Sequence, residues 1–224
     1  MCIRDRAKAA VRFYASTKGP FTIGPLESVA FVNLDDPNGR TNFQYHFSPI
    51  HVGKSYDYDV YDMNTLPTTD GFSIIPTLLL PKSRGTVSLK SNNPFDAPII
   101  QPNFLSNEDD LQTLIKGGRK AIEIINQKAF DPFRKHNNYP DNIENEEVLI
   151  DHIKKTLETI YHPVGTCKMG NDEAAVVDSQ LRVHGVENLR VVDASIMPKV
   201  VAGNTNAAVY MIAERAANFV SEPV

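Results

Sequence analysis

The densest group of residues able to do chemistry is the segment YHPVGTCKMG at positions 161–170. Pro163 restricts His162 to an extended backbone, because the residue before a proline is pushed out of the helical region. Gly165 and Gly170 permit tight turns further along the segment. The pattern predicts an imidazole held on a stiff loop. Such an arrangement suits a general base, because proton transfer depends on fixed geometry.

Other interpretations of this segment stay open on these residues alone. A lone histidine is more often structural than catalytic, and Cys167 allows a Cys–His hydrolase. Catalytic Cys–His pairs usually join from distant parts of a fold, and a buried apolar cysteine is the ordinary case. His162 and Cys167 are too few ligands for a metal, so we expect none. The isolated histidines are interpreted as surface or structural: His136, His152 and His184.

A second group of candidate residues lies at 189–198 and 203–208. Residues 189–193 predict a compact strand that ends at Asp193, where a carboxylate can accept hydrogen bonds from ligand hydroxyls. The Asn-Thr-Asn run that follows Gly203 offers caps for a last helix over 207–219. A helix start is an anion site, because its N–H groups are unpaired and its dipole is positive there. A plain strand–loop–helix unit without a ligand is the alternative.

Composition limits the classes of function. The chain has 224 residues, enough for one large domain or two small ones at roughly 150 residues each. Its 23 basic and 27 acidic residues give a net charge of −4, which argues against a nucleic-acid binder. The apolar run at 74–80 is far short of the ~18 residues of a transmembrane helix. We therefore expect neither a nucleic-acid partner nor a transmembrane segment.

The elements that must position these groups are predicted from local pattern. Runs at 29–33, 43–50, 73–80 and 85–90 are β-prone and separated by turn sequences. In the last run the alternation places Val87 and Leu89 on one half-buried face.

Two helices follow these strands along the chain. Ser106 with Asp109 resembles a capping box at the start of the first, and Asn145 is a candidate cap of the second. Apolar residues recur at helical spacing in both: Leu111, Leu114, Ile115, Ile122 and Ile125, then Leu149, Ile153, Leu157 and Ile160.

The two chemical groups together resemble the C-terminal signature of the glucose–methanol–choline (GMC) family of flavin oxidoreductases. The matching segments are YHPVGTCKMG at 161–170, VVDSQLRVHGVENLRVVDASIMP at 176–198 and GNTNAAVYMIAERA at 203–216. The run at 83–104 is similar to strands of the family's substrate domain. The amino-acid sequence of these motifs most resembles the invertebrate glucose-dehydrogenase-like branch of the family. The resemblance extends from about residue 20 to the end of the chain.

The resemblance implies an enzyme that uses FAD to oxidise the CH–OH group of a small-molecule alcohol or sugar. An electron acceptor, quinone-like or oxygen, would then reoxidise the flavin. His162 matches the family's active-site base, which takes the hydroxyl proton. Asn204 falls where relatives carry a histidine or an asparagine, the second polar partner of the substrate oxygen.

The resemblance also implies which residues contact the cofactor. Asp193 and Ala194 match a flavin-contacting turn. Thr205 and Asn206 would lie beside the isoalloxazine, at the start of the last helix. Electrostatics favours this placement of the helix start, because reduced flavin carries negative charge near N1 and a helix amino terminus stabilises such charge.

The implied fold is α+β: an antiparallel-sheet substrate-binding domain with helices on one side, plus the last strand and helix of an otherwise missing FAD-binding domain. Residues 1–20 would be a partial N-terminal segment, with its native start left open. Residues 21–160 would form the substrate-binding domain, and 161–224 the active-site loop and the return to the FAD-binding domain.

One feature of the family is missing from the sequence. None of the 12 glycines forms the Gly-x-Gly-x-x-Gly turn that cradles the FAD pyrophosphate in family members. We therefore expect the C-terminal half of an enzyme. The alternative is a non-catalytic fragment or binding module that has lost the cofactor.

Overall fold

The computed structural model describes residues 3–22, 24, 26–51, 59, 62, 64, 65, 67 and 69–221. The helices and strands are α1 (Ile3–Ser16), β1 (Ser28–Val32), β2 (Phe43–Ser48), β3 (Ser73–Leu78), β4 (Thr86–Ser88), β5 (Ile99–Gln101), α2 (Glu108–Ile125), α3 (Glu146–Thr156) and α4 (Asn206–Ser221). Short 3₁₀ turns occur at Pro20–Thr22, Lys128–Phe130 and Ala194–Ile196.

The chain divides into two compact units. The first contains Met1–Thr77 and Gln112–Leu157, and the second contains Leu78–Leu111 and Glu158–Val224. The division into 1–20, 21–160 and 161–224 that the resemblance implies stays a prediction.

The α+β class is confirmed, since helices accompany small antiparallel sheets. β1 and β2 are antiparallel, with Ser28 opposite Phe47 and Val32 opposite Phe43. β3 lies on the other side of β2, giving the order β1-β2-β3. β4 and β5 form a separate antiparallel pair. The strands predicted at 29–33, 43–50, 73–80 and 85–90 are all present, with slightly different ends.

The first unit is organised on one face of β2. Alternation along the strand directs Phe43 and Tyr45 to the same side. Phe43 is fully buried, and the Tyr45 hydroxyl donates to the Gly117 carbonyl of α2 at 3.1 Å. Burial raises the pKa of Tyr45 to about 12, and the charge of Glu123 acts in the same direction. α2 therefore covers this face of the sheet.

Aromatic packing extends the same face of β2. The ring of Phe47 lies 5.8 Å from that of Phe72 and 6.3 Å from that of Phe130, between centroids. The rings of Phe72 and Phe130 stack at 5.3 Å. Such offset contacts add to the stabilisation that burial of the rings already provides.

The amino end of α2 belongs to the second unit and is held by a buried carboxylate. Asp110 accepts hydrogen bonds from the backbone N–H groups of Lys82 and Ser83 at 2.8 Å each, and from the Ser83 hydroxyl at 2.6 Å. Because a buried charge is costly unless its oxygens are hydrogen-bonded, these three donors account for its position.

The helix caps confirm one expectation and correct another. The Asn145 side chain accepts from Glu147 N–H and caps α3, as predicted. At α2 the cap is Asn107, which accepts from Asp109 N–H at 3.0 Å, so the box expected at Ser106 is wrong by one residue. Asn107 is favoured because it directly precedes the first helical residue, Glu108, where a cap side chain reaches the second helical N–H.

Three further expectations need correction. α3 ends at Thr156, because Leu157 has an extended backbone (ψ 124°), so Leu157 and Ile160 lie outside the helix. Val87 and Leu89 are exposed, because alternation decides only which residues share a face and burial also needs an element that covers it.

The strand expected at 189–193 is likewise not formed in the described residues. Arg190 makes only an isolated antiparallel bridge with Arg182. An extended segment becomes a strand only where a neighbour pairs along its length. The predicted last helix is confirmed as α4, whereas α1 lies in a region that the sequence analysis left unassigned.

Two adjacent glycines of α2 test the packing of the first unit. A Cβ on Gly117 would overlap the Phe43 ring, whereas a Cβ on Gly118 would make an ordinary 3.5 Å contact with Leu149. We expect Gly117→Ala to lower the free energy of unfolding by about 1–3 kcal/mol through overpacking. Gly118→Ala, the matched control, should raise it by up to about 1 kcal/mol, because alanine favours helices. Urea unfolding of both variants measures this; equal effects would contradict the packing.

Candidate active site

The segment 161–170 forms a loop with two unusual backbone conformations. Tyr161 has a positive φ of 62°, and Gly165 has a φ of 90°. The first is uncommon for a bulky residue, whereas the second suits glycine. The half-buried His162 lies between these two positions and directly precedes Pro163.

The loop is hydrogen-bonded to the 3₁₀ turn Ala194–Ile196. Cys167 N–H donates to the Ser195 carbonyl at 3.1 Å, and Met169 N–H donates to the Ile196 carbonyl at 2.8 Å. These two backbone bonds hold the loop independently of its side chains.

A hydrophobic core lies beneath the loop, the 3₁₀ turn and α4. The buried members come from segments that are distant in sequence, and together they are Val177, Leu181, Ile196, Met197, Ile212 and Ala216. α4 packs directly on the 3₁₀ turn. Burial of these side chains therefore holds all three parts of the candidate site on one scaffold.

The imidazole of His162 has one direct polar partner among the described residues. Its Nδ1 is hydrogen-bonded to the Thr205 hydroxyl at 3.0 Å, across 43 positions of sequence. Thr205 is only 7% exposed. The bond fixes the rotation of the ring and leaves Nε2 as the nitrogen available to a ligand.

Thr205 occupies the cap position of α4 by its backbone but not by its side chain. Its carbonyl accepts from Val209 N–H at 3.0 Å, the first bond of the helix. Its hydroxyl binds His162 instead of the N–H groups of the first turn. The adjacent Asn204 and Asn206 are exposed.

Asp193 lies before the 3₁₀ turn rather than at the end of a strand. Its carboxylate accepts from Ser195 N–H at 2.7 Å and caps the turn, and its side chain is exposed. Ala194 is the first residue of the turn. The Ser195 hydroxyl is buried and lacks a hydrogen-bond partner within the described residues.

These residues fit part of an FAD site. The first N–H groups of α4 have no intrahelical acceptors, and the Thr205 hydroxyl does not cap them. The first turn of α4 carries no acidic residue, so the positive end of the helix dipole is not neutralised locally. The unpaired Ser195 hydroxyl adds a further donor close to Asp193. This donor set suits an electron-rich group such as a flavin.

The structure brings some of the candidate residues together and not others. Of the six, it joins His162 to Thr205 directly. In the part of the chain that is described, no hydrogen bond links His162 to Asn204, Asn206 or Asp193. The predicted contacts of Asp193, Ala194, Thr205 and Asn206 with FAD stay predictions.

The remaining histidines and the cysteine have structural settings. Cys167 is half-buried, and no hydrogen bond joins its sulfur to His162 among the described residues. His184 Nε2 lies 3.1 Å from the Gly170 carbonyl and holds the end of the loop. Burial lowers the pKa of His152, which the charge of Asp151 partly opposes. No group of three or more metal-ligating side chains occurs in the described ranges.

Sequence reasoning missed two polar pairs. The first is the pairing of Thr205 with His162, for which sequence carries no signal because the residues are far apart in the chain. The second is in the first unit, where Gln44 Nε2 lies 2.9 Å from His46 Nε2. The alternation of Gln44 and His46 with aromatic residues along β2 was an available signal for that polar face. Burial lowers the pKa of His46.

Comparison with known proteins identifies the protein family to which this chain belongs. The family model for GMC oxidoreductase matches residues 81–213, more than half of the chain. The match includes the His162 loop, the 3₁₀ turn and the first half of α4. This chain belongs to the GMC oxidoreductase family.

Two curated relatives are similar to this chain over most of its length. The chain is 41% identical over 208 residues to "Alcohol dehydrogenase [acceptor]" from Pseudomonas putida, covering 92% of this chain and 36% of that protein. It is 40% identical over 194 residues to "Oxygen-dependent choline dehydrogenase" from Cronobacter sakazakii, covering 86% of this chain and 34% of that protein. The chain thus spans about a third of the length of these relatives. They do not confirm the expected invertebrate branch.

Solved structures agree on the fold. Pyridoxine 4-oxidase from Mesorbium loti matches with a TM-score of 0.71 at 27% identity, covering 87% of this chain and 37% of that one. A structure of Aspergillus oryzae formate oxidase, concerned with FAD modification, matches with a TM-score of 0.81 at 24% identity. It covers 96% of this chain and 41% of the oxidase. Among the described residues, no helix has the length and apolarity needed to cross a membrane.

The conformation of the His162 loop can be tested at Gly165. Its φ of 90° disfavours any side chain, although a Cβ there would meet only the Met197 carbonyl at 3.4 Å. We expect Gly165→Ala to lower the free energy of unfolding by about 1–2 kcal/mol through backbone strain. Gly203→Ala is the control, because a Cβ there meets nothing within 4 Å and its φ is not positive. Thermal unfolding compares them, and an unchanged Gly165 variant would refute the left-handed loop.

Proposed function

We propose that this chain supplies the substrate-binding part and the proton acceptor of an FAD-dependent oxidoreductase acting on CH–OH donors. Membership of the GMC oxidoreductase family supports the class of reaction. The observation that carries the proposal is the His162 imidazole, held by Thr205 through Nδ1 on a loop pinned to the 3₁₀ turn.

His162 is the residue suited to take a proton from the substrate. Its Nδ1 is engaged by Thr205, so the alcohol O–H proton would be taken by Nε2 in the tautomer that carries its hydrogen on Nδ1. A positioned base must lie within hydrogen-bond reach of that proton, and a ring fixed at both the backbone and Nδ1 meets the demand for geometry. FAD, when bound, would supply the redox chemistry by accepting the hydride from the carbon that bears this hydroxyl.

The cofactor would be held by the turn and the helix end that border this histidine. Asp193 and Ala194 would contact the flavin through the 3₁₀ turn. The N–H groups at the amino end of α4, near Asn206, would face its electron-rich edge. Because the Thr205 hydroxyl binds His162, the contact of Thr205 with FAD would fall to its backbone.

We propose a small-molecule alcohol or sugar as the substrate class. The Pseudomonas putida relative is named for alcohols and an acceptor, and the choline dehydrogenases are named for choline and oxygen. Both names describe oxidation of a CH–OH group, which supports the class and leaves the electron acceptor as either a quinone-like compound or oxygen.

The proton-acceptor role is tested by rapid reduction of the flavin in the whole enzyme. His162→Ala should slow reduction by the alcohol substrate by roughly 10²–10⁴-fold, the usual contribution of a positioned general base. Reoxidation by an artificial acceptor should change much less, because that step removes no proton from the substrate. Stopped-flow absorbance of the flavin measures both half-reactions.

Cys167→Ser is the matched control for this experiment, because it alters the same loop but not the base. It should leave flavin reduction nearly unchanged. A parental rate in the alanine variant together with failure of the serine variant would reject His162 as the base and favour the Cys–His alternative. Parental rates in both would leave the proposed function without its proton acceptor.

The second polar partner of the substrate oxygen is tested at Asn204. Asn204→His should retain measurable turnover, because either side chain can hydrogen-bond that oxygen. Asn204→Leu removes the partner and should cost ~1–3 kcal/mol of transition-state stabilisation, read from kcat/KM. Equal kcat/KM values for leucine and asparagine would reduce Asn204 to a structural residue.

A further inference from the structure

The hydroxyl of Thr205 could bind either of two groups, the first-turn N–H groups of α4 or the imidazole of His162. A threonine before a helix normally accepts from the first-turn N–H groups, and its loss there costs helix stability. Here the carbonyl of Thr205 starts α4, but the hydroxyl is directed to His162 Nδ1 at 3.0 Å. Thr205 is only 7% exposed, so water competes little for this bond on the threonine side.

Two arrangements of hydrogen are compatible with that distance. In one, His162 Nδ1–H donates to the Thr205 oxygen and Nε2 carries a lone pair. In the other, the Thr205 hydroxyl donates to Nδ1 and the ring hydrogen is on Nε2. Only the first leaves Nε2 able to receive a proton, so the function of the ring depends on which tautomer the pair selects.

We propose that Thr205 is a positioning residue that holds His162 as the Nδ1–H tautomer, with the Thr205 oxygen as acceptor. The inference rests on the proposed role of His162 as proton acceptor and deepens it. Thr205 touches His162 through this bond and acts on the substrate only through the imidazole.

The same acceptor serves the ring before and after proton transfer. When Nε2 gains the proton, both ring nitrogens become donors, and Nδ1–H still points at the Thr205 oxygen. No group has to rotate during the step, which is the property that a preorganised site requires. The rigid setting of Thr205 at the start of α4 and over the shared core keeps the oxygen in place.

The test compares three threonine variants in the whole FAD-loaded enzyme. Thr205→Val keeps the shape and removes the oxygen, whereas Thr205→Ser keeps the oxygen. Thr77→Val is the matched control, because Thr77 is equally buried and its hydroxyl has no hydrogen-bond partner among the described residues. FAD content and the unfolding temperature of each variant show whether it has folded.

The first readout is spectroscopic and independent of activity. In protein carrying ¹⁵N-labelled histidine at about pH 8.5, above the ordinary titration range of imidazole, the His162 signals report the tautomer. The signals are assigned by their loss in His162→Asn. We expect Nδ1–H in the parent, Thr205→Ser and Thr77→Val proteins, and Nε2–H or a mixture in Thr205→Val.

The second readout is the rate of flavin reduction by substrate. Thr205→Val should lower it by about 10- to 100-fold, because most of the population then carries the hydrogen on Nε2 and the ring loses the bond that orients it. Thr205→Ser should restore it to within about 3-fold of the parent, and Thr77→Val should leave it unchanged.

The outcomes separate this inference from the proposed function. The role of Thr205 would be overturned by an Nε2–H ring in the parent protein. It would also be overturned if Thr205→Val kept the parental tautomer and the parental rate. In either case the His162→Ala experiment still decides whether His162 is the base. If His162→Ala reduces its flavin at the parental rate, the proposed function fails. The parent spectrum is recorded on unaltered protein, and only the assignment of the His162 signals uses the His162→Asn variant.

Discussion

The candidate site depends on one hydrogen bond, between His162 Nδ1 and the Thr205 hydroxyl. It joins a loop to the start of a helix that lies 43 positions further along the chain. Without it the imidazole would be fixed only by the backbone on either side. With it both the rotation of the ring and the choice of the free nitrogen are constrained. The bond diverts a helix-cap side chain, so a small loss of helix stability is the physical cost of orienting the ring.

The scaffold around that bond relies on backbone hydrogen bonds and burial. The loop donates to carbonyls of the 3₁₀ turn Ala194–Ile196, and the turn packs on α4 over a shared apolar core. Asp110 performs a comparable task elsewhere in the second unit, where one buried carboxylate holds the segment that precedes β4. In both places backbone N–H groups of one segment find acceptors on another, which is the usual condition for burying them.

Family membership gives these local arrangements a chemical context. The GMC oxidoreductase match covers the loop, the turn and the first half of α4, while the chain spans about a third of the length of the curated relatives named above. The activity of the whole protein therefore stays a proposal that rests on the geometry of His162. Among the described residues, the unpaired Ser195 hydroxyl and the helix start that the Thr205 hydroxyl does not cap form a donor set that suits a flavin.

The sequence by itself indicated the class of fold and the positions of the main strands and helices, and it singled out His162 as the candidate base, because these follow from local pattern and short motifs. It could not determine that the segment at 189–193 lacks a strand partner, that Val87 lies exposed, or that Thr205 binds His162. Each of these depends on which distant segments meet. Only tertiary structure decides that, because pairing, burial and long-range hydrogen bonds are properties of the packed chain.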